Sequence, residues 1–167
     1  MPNNVLAADN QQERPETVGW VVGFVDGEGC FSVSIHKNHV MRLGWQVVPE
    51  FVVTQGEKSL QALKKLQEFF QCGSIFVNNR HDNHKEPIYR YCVRSVKELE
   101  TIIVPFFNQN QLQTSKAAEF FKFKQALSLM KERKHLTLEG VKEIATITQE
   151  MNHKKPSVFL ESSETIR

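Results

Sequence analysis

The feature that most constrains this chain is the segment at residues 21–29, VVGFVDGEG, in which an apolar stretch ends on two acids that alternate with glycines. Apolar residues recur there at helical spacing, namely Val18, Val21, Val22 and Val25. Thr17 is a suitable N-cap, so the pattern predicts a packed helix from Thr17 to Asp26. Such a helix presents a carboxylate at its C-terminal end, where a metal ion could be held.

Three glycines, Gly19, Gly23 and Gly27, are spaced four residues apart and line one stripe of this helix, where another backbone can approach closely. The natural partner is the same helix of a second copy, related by a two-fold axis. We therefore expect a dimer interface at Gly19, Gly23 and Val22. In a soluble helix, however, glycines at this spacing more often serve plain packing, and an Asp-Gly-Glu-Gly sequence is more often a simple turn.

In such a dimer the two copies of Glu28 would lie near each other at the base of the helix pair. Two crowded carboxylates repel unless divalent cations lie between them, and Mg²⁺ accepts carboxylate, carbonyl and phosphate oxygens together. This arrangement is typical of phosphodiester cleavage, in which a metal polarises the scissile phosphate and activates a water molecule.

The composition fits one compact domain of 167 residues, with 40% hydrophobic content. We expect a flexible N-terminal arm at 1–16, a single domain at 17–152 and a C-terminal tail at 153–167. Three cysteines without a CxxC pair favour a reducing, intracellular compartment. The sequence has no signal-peptide pattern, and its longest apolar run is far shorter than the roughly 20 residues of a membrane span, so we expect a soluble protein that is neither secreted nor membrane-bound.

The rest of the chain alternates between strand and helix periodicities. The predicted elements are strands at Cys30–His36, Gly44–Gln55, Ile75–Arg80 and Ile88–Arg94, and helices at Lys58–Gln71, Ser95 to before Pro105, Lys116–Lys134 and Leu138–Met151. The order αββαββα predicts an α+β fold, in which helices cover one face of an antiparallel four-stranded sheet.

The other face of that sheet is a candidate DNA-binding surface. Two-stranded ribbons can enter the major groove, where Arg reads guanine and Asn or Gln reads adenine. The net charge of +2 is too small to argue for a polyanionic partner by itself, and the residue types fit a solvated sheet face at least as well. The candidate residues are Ser32, Ser34, His36, Asn38, Gln46, Glu50, Asn78, Arg80, Arg90 and Arg94.

The segment VVGFVDGEG resembles the LAGLIDADG motif of homing endonucleases at every position by residue type. Three further segments are similar to the family, Phe51–Gln55, Leu112–Lys116 and His135–Gly140, so the resemblance extends from about Thr17 to Asn152. It implies a LAGLIDADG endonuclease fold and an intron-encoded enzyme of an organelle or a prokaryotic cytoplasm. Members with a single motif act as homodimers on a long pseudo-palindromic site in double-stranded DNA, with Mg²⁺ as the metal, for which Ca²⁺ or Mn²⁺ can substitute.

The resemblance also implies roles for individual residues. Glu28 matches the metal-binding acid of the motif, with the carbonyl of Gly27 as a second ligand. Gln55 matches the polar residue that orders a water near the metal, and Lys116 matches the basic residue near the scissile phosphate. Lys58 is a second lysine candidate, and Asp26 is expected to be structural.

Two other functions use the same fold without a metal centre, namely an RNA-splicing maturase and a non-cleaving DNA-binding regulator. A chain that had lost cleavage would be expected to lack at least one of the site residues. Glu28, Gln55 and Lys116 are all present, so the sequence favours the nuclease.

Overall fold

The computed structural model describes residues 6–78, 86–151 and 157–164. Its strands are β1 (Gly29–Lys37), β2 (Trp45–Gly56), β3 (Ser74–Asn78) and β4 (Ile88–Val93). Its helices are α1 (Leu6–Glu28), α2 (Leu60–Phe70), α3 (Val96–Glu98), α4 (Val104–Gln109), α5 (Lys116–Lys131), α6 (Leu138–Gln149) and α7 (Val158–Glu164). No helix in the described ranges combines the length and the apolar character needed to cross a bilayer.

The four strands form one antiparallel sheet in the order β1-β2-β4-β3, which confirms the predicted fold class. Phe31 on β1 pairs with Phe51 on β2, which in turn pairs with Val93 on β4. These three side chains point toward the helices, since each is at most 1% exposed. We call this side of the sheet the inner face and the opposite side the outer face.

Aromatic rings between the inner face and the helices form the centre of the core. Phe31 lies 5.0 Å from Phe51, 5.6 Å from Phe107 and 5.4 Å from Phe123, measured between ring centroids. Full burial of one such side chain stabilises the fold by about 1.5–3 kcal/mol. Val21 and Val25 of α1 join this core at 0% exposure. Packing therefore fixes the rotation of α1 and leaves its glycine stripe facing outward.

The first helix is longer than its apolar pattern indicates. It begins at Leu6 rather than Thr17, so the backbone from residue 6 to 16 is helical where an arm was expected. This stretch contains Ala, Gln, Glu and Arg, which are strong helix formers but carry no apolar periodicity. The helix also runs two residues beyond Asp26, to Glu28, and leads directly into β1.

The prediction that a helix ends before Pro105 is wrong. The chain from Val96 to Gln109 stays helical through a π-helical turn at Leu99–Ile103, and Pro105 lies in the first turn of α4. Proline lacks a backbone N–H, and its ring clashes with the carbonyl four residues earlier in a regular helix. The wider π turn immediately before Pro105 relieves both problems.

Part of the segment expected to be a tail is packed on the domain. Helix α7 places Phe159 at 4% exposure, with its ring at 5.0 Å from Trp45 in a T-shaped arrangement. The periodicity of so short a helix is too weak to be seen in the sequence, so the contact with β2 decides the structure here.

Candidate active site and sheet surface

The acidic end of α1 passes into β1 without a loop, and this places Glu28 at the junction. A Cβ atom at Gly29 would lie 2.6 Å from the Cγ1 of Val25 and 2.7 Å from its carbonyl oxygen, so only glycine fits where the chain changes from helix to strand. Gly27 and Glu28 are exposed, whereas Val25 and Gly29 are buried on either side. The carboxylate of Glu28 is therefore presented to solvent from a rigidly packed backbone.

Asp26 points the other way and is clamped to the segment before α5. Its carboxylate accepts hydrogen bonds from the backbone N–H of Gln113 at 2.9 Å, from the backbone N–H of Thr114 at 3.1 Å and from the Thr114 hydroxyl at 2.7 Å. Burial acts to raise the pKa of Asp26, but the bonds from Thr114 and Gln113 and the charge of Lys116 outweigh it, so the pKa is lowered. Asp26 thus has the structural geometry expected for it.

Lys116 is the first residue of α5, and its side chain contacts the end of α1. Its Nζ atom donates a hydrogen bond to the carbonyl oxygen of Gly27 at 3.1 Å. Its own backbone N–H donates to the hydroxyl of Thr114 at 3.3 Å, and that hydroxyl is bonded to Asp26. The clamp on Asp26 therefore also positions Lys116. Residues 112–116 resemble the family in sequence, but nothing in that resemblance indicates that Gln113 and Thr114 are the partners of Asp26.

Gln55 lies at the same end of the sheet. Gly29 pairs with Val53, and Gln55 follows two residues later on β2, on the same face as Val53. It is partly buried. The fold therefore brings Lys116 to Gly27 and Glu28 at the end of α1, and the register of β2 places Gln55 at the same end of the sheet. Lys58 instead forms an ion pair with Glu86 at 2.9 Å and is 84% exposed, which leaves Lys116 as the better-placed lysine.

The donor atoms at the end of α1 suit a hard divalent cation. The carbonyl of Gly27 already accepts a positively charged ammonium group, and the carboxylate of the neighbouring Glu28 is exposed. Both are oxygen ligands of the kind that Mg²⁺ prefers. Within the described part of the chain, no cluster of three or more His, Cys, Asp or Glu residues could hold a metal ion. The two oxygens belong to neighbouring residues, so one copy can offer both to the same cation, and water, a phosphate or a second copy can supply further ligands.

The outer face of the β1–β2 hairpin carries the polar side chains predicted for it. Ser32, Ser34 and His36 alternate with the inner-face residues of β1, and Ser32 pairs with Glu50. Asn38 donates from Nδ2 to Oε1 of Gln46 at 2.7 Å, and its Oδ1 accepts from the N–H of Val40 at 3.1 Å. Asn38 therefore closes the turn of the hairpin and holds Gln46.

Two arginines of the outer face share one acid. Arg90 donates from Nη2 to Oε1 of Glu50 at 2.7 Å, and Arg94 donates from Nε to Oε2 of the same carboxylate. The bond to Glu50 raises the pKa of Arg94. The sequence placed all three residues on this face but missed their pairing. The backbone of Asn78 ends β3, whereas its side chain and the whole of Arg80 lie outside the described residues.

The glycine stripe of α1 is open in the single chain. A Cβ atom added at Gly19, Gly23 or Gly27 would meet no other atom within 4 Å, and Val22 beside them is partly buried. The stripe is therefore not used for packing within the described part of this copy.

Comparison with known proteins identifies relatives of this site and fold. Residues 21–127 match the sequence profile of the family described as LAGLIDADG endonuclease. The "Probable intron-encoded endonuclease 3" of Neurospora crassa is 36% identical over 135 residues, which is 80% of this chain. The crystal structure of the homing endonuclease I-TnaI superposes with a TM-score of 0.77 at 39% identity, covering 90% of this chain and 97% of that one.

A second solved structure is that of I-SmaMI, described as bound to an uncleaved DNA target in the presence of calcium ions. It is 34% identical with a TM-score of 0.77, and the match covers 86% of this chain but 47% of I-SmaMI. The match to the Neurospora protein likewise covers 24% of that protein's length. The present chain therefore spans a fraction of several of its relatives, equivalent to about half of I-SmaMI.

Proposed function

The chain belongs to the LAGLIDADG endonuclease family, and on that premise we propose that it is a homing endonuclease that cuts a long, pseudo-palindromic site in double-stranded DNA by metal-dependent phosphodiester hydrolysis. The observation that carries this proposal is that the exposed Glu28 follows Gly27 directly in the chain, and that the Nζ atom of Lys116 lies 3.1 Å from the carbonyl oxygen of Gly27. The intact acid and lysine favour a nuclease over a non-cleaving regulator or a maturase on the same fold.

Each side chain of the site has a role in this reaction. Glu28 and the carbonyl of Gly27 would hold the metal, for which we propose Mg²⁺, with Ca²⁺ or Mn²⁺ able to occupy the same ligands. When bound, the metal supplies charge that polarises the scissile phosphate and lowers the pKa of a water. Gln55 orders the attacking water by hydrogen bonding, and Lys116 neutralises charge that builds up on the phosphate oxygens.

Lys116 is well placed to exchange partners when the site is loaded. The ammonium group of Lys116 now occupies the carbonyl oxygen of Gly27, and it would be displaced by charge repulsion if that oxygen held a cation. The Nζ atom is at the tip of a flexible side chain, so it can turn toward a DNA phosphate while its backbone stays fixed by Thr114. Lys116 therefore places a positive charge at the site both before and after the cation and DNA are bound.

We further propose that the active assembly is a homodimer in which α1 packs against α1 of a second copy. The open glycine stripe at Gly19, Gly23 and Gly27, with Val22 beside it, supports this arrangement because two backbones can approach closely there. A two-fold axis along the stripe brings two copies of Glu28 together, one for each DNA strand. The 47% coverage of I-SmaMI fits a chain that supplies one half of such a site.

The outer faces of the two sheets then read the DNA. A two-fold assembly matches a pseudo-palindrome, with each face covering about one helical turn of roughly 10 base pairs. A reducing compartment that holds intron DNA, in an organelle or a prokaryote, fits the free thiols of Cys30, Cys72 and Cys92.

One experiment tests this function directly. The protein is incubated with Mg²⁺ and a library of partly randomised DNA duplexes, and the cut ends are sequenced. We expect cuts in both strands within a single long and nearly symmetric consensus, and no cuts when the metal is chelated. Binding to such a consensus without Mg²⁺-dependent cutting would favour the regulator instead.

A further inference from the structure

A single, partly buried acid organises two arginines on the outer face of the sheet. The side chain of Glu50 is 12% exposed, whereas that of Arg90 is 31% and that of Arg94 is 55% exposed. Each oxygen of the carboxylate accepts from one guanidinium group. The carboxylate of Glu50 therefore lies beneath the two arginines, whose guanidinium groups form the surface that a ligand would meet.

The geometry leaves the two arginines with different free donors. A guanidinium group has five N–H bonds in a fixed plane. Arg94 uses Nε on Glu50, and neither of its terminal NH₂ groups is hydrogen-bonded to any residue in the described ranges, so both are available at the more exposed end of the side chain. Arg90 uses one of its terminal nitrogens and is less exposed. Arg94 is thus the arginine whose outward edge can make two parallel hydrogen bonds.

We propose that Glu50 is a positioning residue, which fixes the plane of Arg94 so that this arginine reads a guanine through O6 and N7 in the major groove. This inference rests on the proposed function, because it takes double-stranded DNA as the ligand of the outer face. Arg94 borders a hollow of the outer face that is also lined by Ser32, Ser34 and Gln46, so the guanidinium group lies beside other base-reading side chains. Glu50 itself acts through the arginines and does not contact a base.

Loss of the carboxylate should separate affinity from specificity. Replacing Glu50 by glutamine removes one negative charge from a surface that faces phosphates, which strengthens sequence-independent attraction. The same change replaces one of the two acceptor oxygens by an NH₂ donor that faces a guanidinium group, and it removes the ion pair. Arg94 is then held less firmly and must be ordered during binding, so its preference for guanine falls. A residue that only stabilised the fold would lower both quantities together.

The test uses the full chain and duplexes with randomised half-sites, and binding is selected in the absence of divalent metal so that cleavage does not interfere. Glu50→Gln is compared with Glu50→Asp, which keeps the charge but shortens the reach, and with Arg94→Lys, which keeps the charge but loses the planar fork. Glu68→Gln on the exposed side of α2 is the matched control for the change of charge. Thermal unfolding is recorded for each variant.

We expect all three sheet variants to lose about tenfold discrimination at the same guanine of each half-site. Glu50→Gln should bind random DNA more tightly than the unmutated chain, and Glu68→Gln should keep the unmutated base preferences. If Glu50→Gln does not fold, the shared loss in Glu50→Asp and Arg94→Lys decides the case. Unaltered base preference in these variants, or loss of a cytosine preference alone, would overturn the inference while leaving the proposed function standing. Failure of the unmutated chain to bind DNA would overturn both.

Discussion

The Nζ atom of Lys116 lies 3.1 Å from the carbonyl oxygen of Gly27, and this hydrogen bond joins the start of α5 to the end of α1. It depends on a second connection, in which Thr114 donates its hydroxyl and its backbone N–H to Asp26. One acid of the motif therefore builds the site by holding a loop, and the other, Glu28, is left exposed for a ligand.

Replacing Lys116 by methionine should reduce the cleavage rate by about 100-fold, because a preorganised charge near the transferred phosphate is lost. The side-chain length and its packing are nearly kept, so DNA affinity should change far less. Single-turnover cleavage and equilibrium binding measure the two effects. Lys64→Met on the exposed side of α2 is the control, and equal rates in both variants would argue against a role for Lys116.

Replacing Asp26 by asparagine should lower the free energy of unfolding by about 1–3 kcal/mol, because a buried acceptor of several hydrogen bonds gains a donor face. The backbone N–H groups of Gln113 and Thr114 each donate to a different oxygen of Asp26, and asparagine leaves only one of these two oxygens. Denaturant unfolding at neutral pH measures this loss. An Asp26→Asn variant as stable as the unmutated chain would mean that the clamp contributes nothing.

The same acid predicts a pH dependence of stability. The pKa of Asp26 in the folded chain is lowered from the ordinary value of 3.8. A lowered pKa stabilises the fold fully above the unfolded value, and this stability is lost as the pH falls through the folded value. The difference in unfolding free energy between the unmutated chain and Asp26→Asn should therefore shrink below pH 3.8. A difference that stayed constant down to pH 2 would contradict the pairing.

Replacing Gly23 by leucine should separate the proposed dimer without unfolding the chain. A Cβ atom at this position would meet nothing within 4 Å outside the backbone of α1 itself, and Gly23 is exposed in the single copy, so we expect the added side chain to clash with a partner. Sedimentation should show a monomer for Gly23→Leu and a dimer for Gln61→Leu, which adds the same side chain to an exposed position on α2. A monomer in the unmutated protein would rule out the homodimer.

Gly140 is required for the start of α6, and alanine there should cost about 1–3 kcal/mol of stability. A Cβ atom would lie 2.0 Å from the carbonyl oxygen of Lys134, so the short turn before α6 must shift. The N-cap bond from Gly140 to Thr137, at 3.1 Å, would be strained with it. Gly56→Ala, whose Cβ meets nothing within 4 Å, should leave thermal unfolding unchanged.

The sequence was sufficient for features that repeat locally. Alternation along residues 30–36 and helical spacing around Val21 and Val25 identify β1 and α1, because burial of one face imposes those periods. Pro105 falsely indicated the end of a helix, since a π turn that accommodates proline leaves no signal in the sequence. Phe159 was missed because its burial depends on Trp45, which is more than a hundred residues away along the chain.

The site itself was only partly accessible from the sequence. The exposed Glu28 followed from the motif, but the bond of Asp26 to Thr114 joins residues that are 88 apart. The pairing of Glu50 with Arg90 and Arg94 follows from the alignment of β2 with β4, which places these charges next to each other. That register is set by the tertiary fold, and alternation on single strands does not contain it.

We expect Glu28 to hold the metal for cleavage and to contribute little to DNA binding, and the variant Glu28→Gln separates these two properties. The variant and the matched control Glu57→Gln, an exposed acid in the turn before α2, are compared for Mg²⁺-dependent cleavage and for DNA affinity on the selected site. We predict that Glu28→Gln loses cleavage by at least about 100-fold while its affinity for DNA stays nearly unchanged. Undiminished Mg²⁺-dependent cleavage by Glu28→Gln would contradict the account.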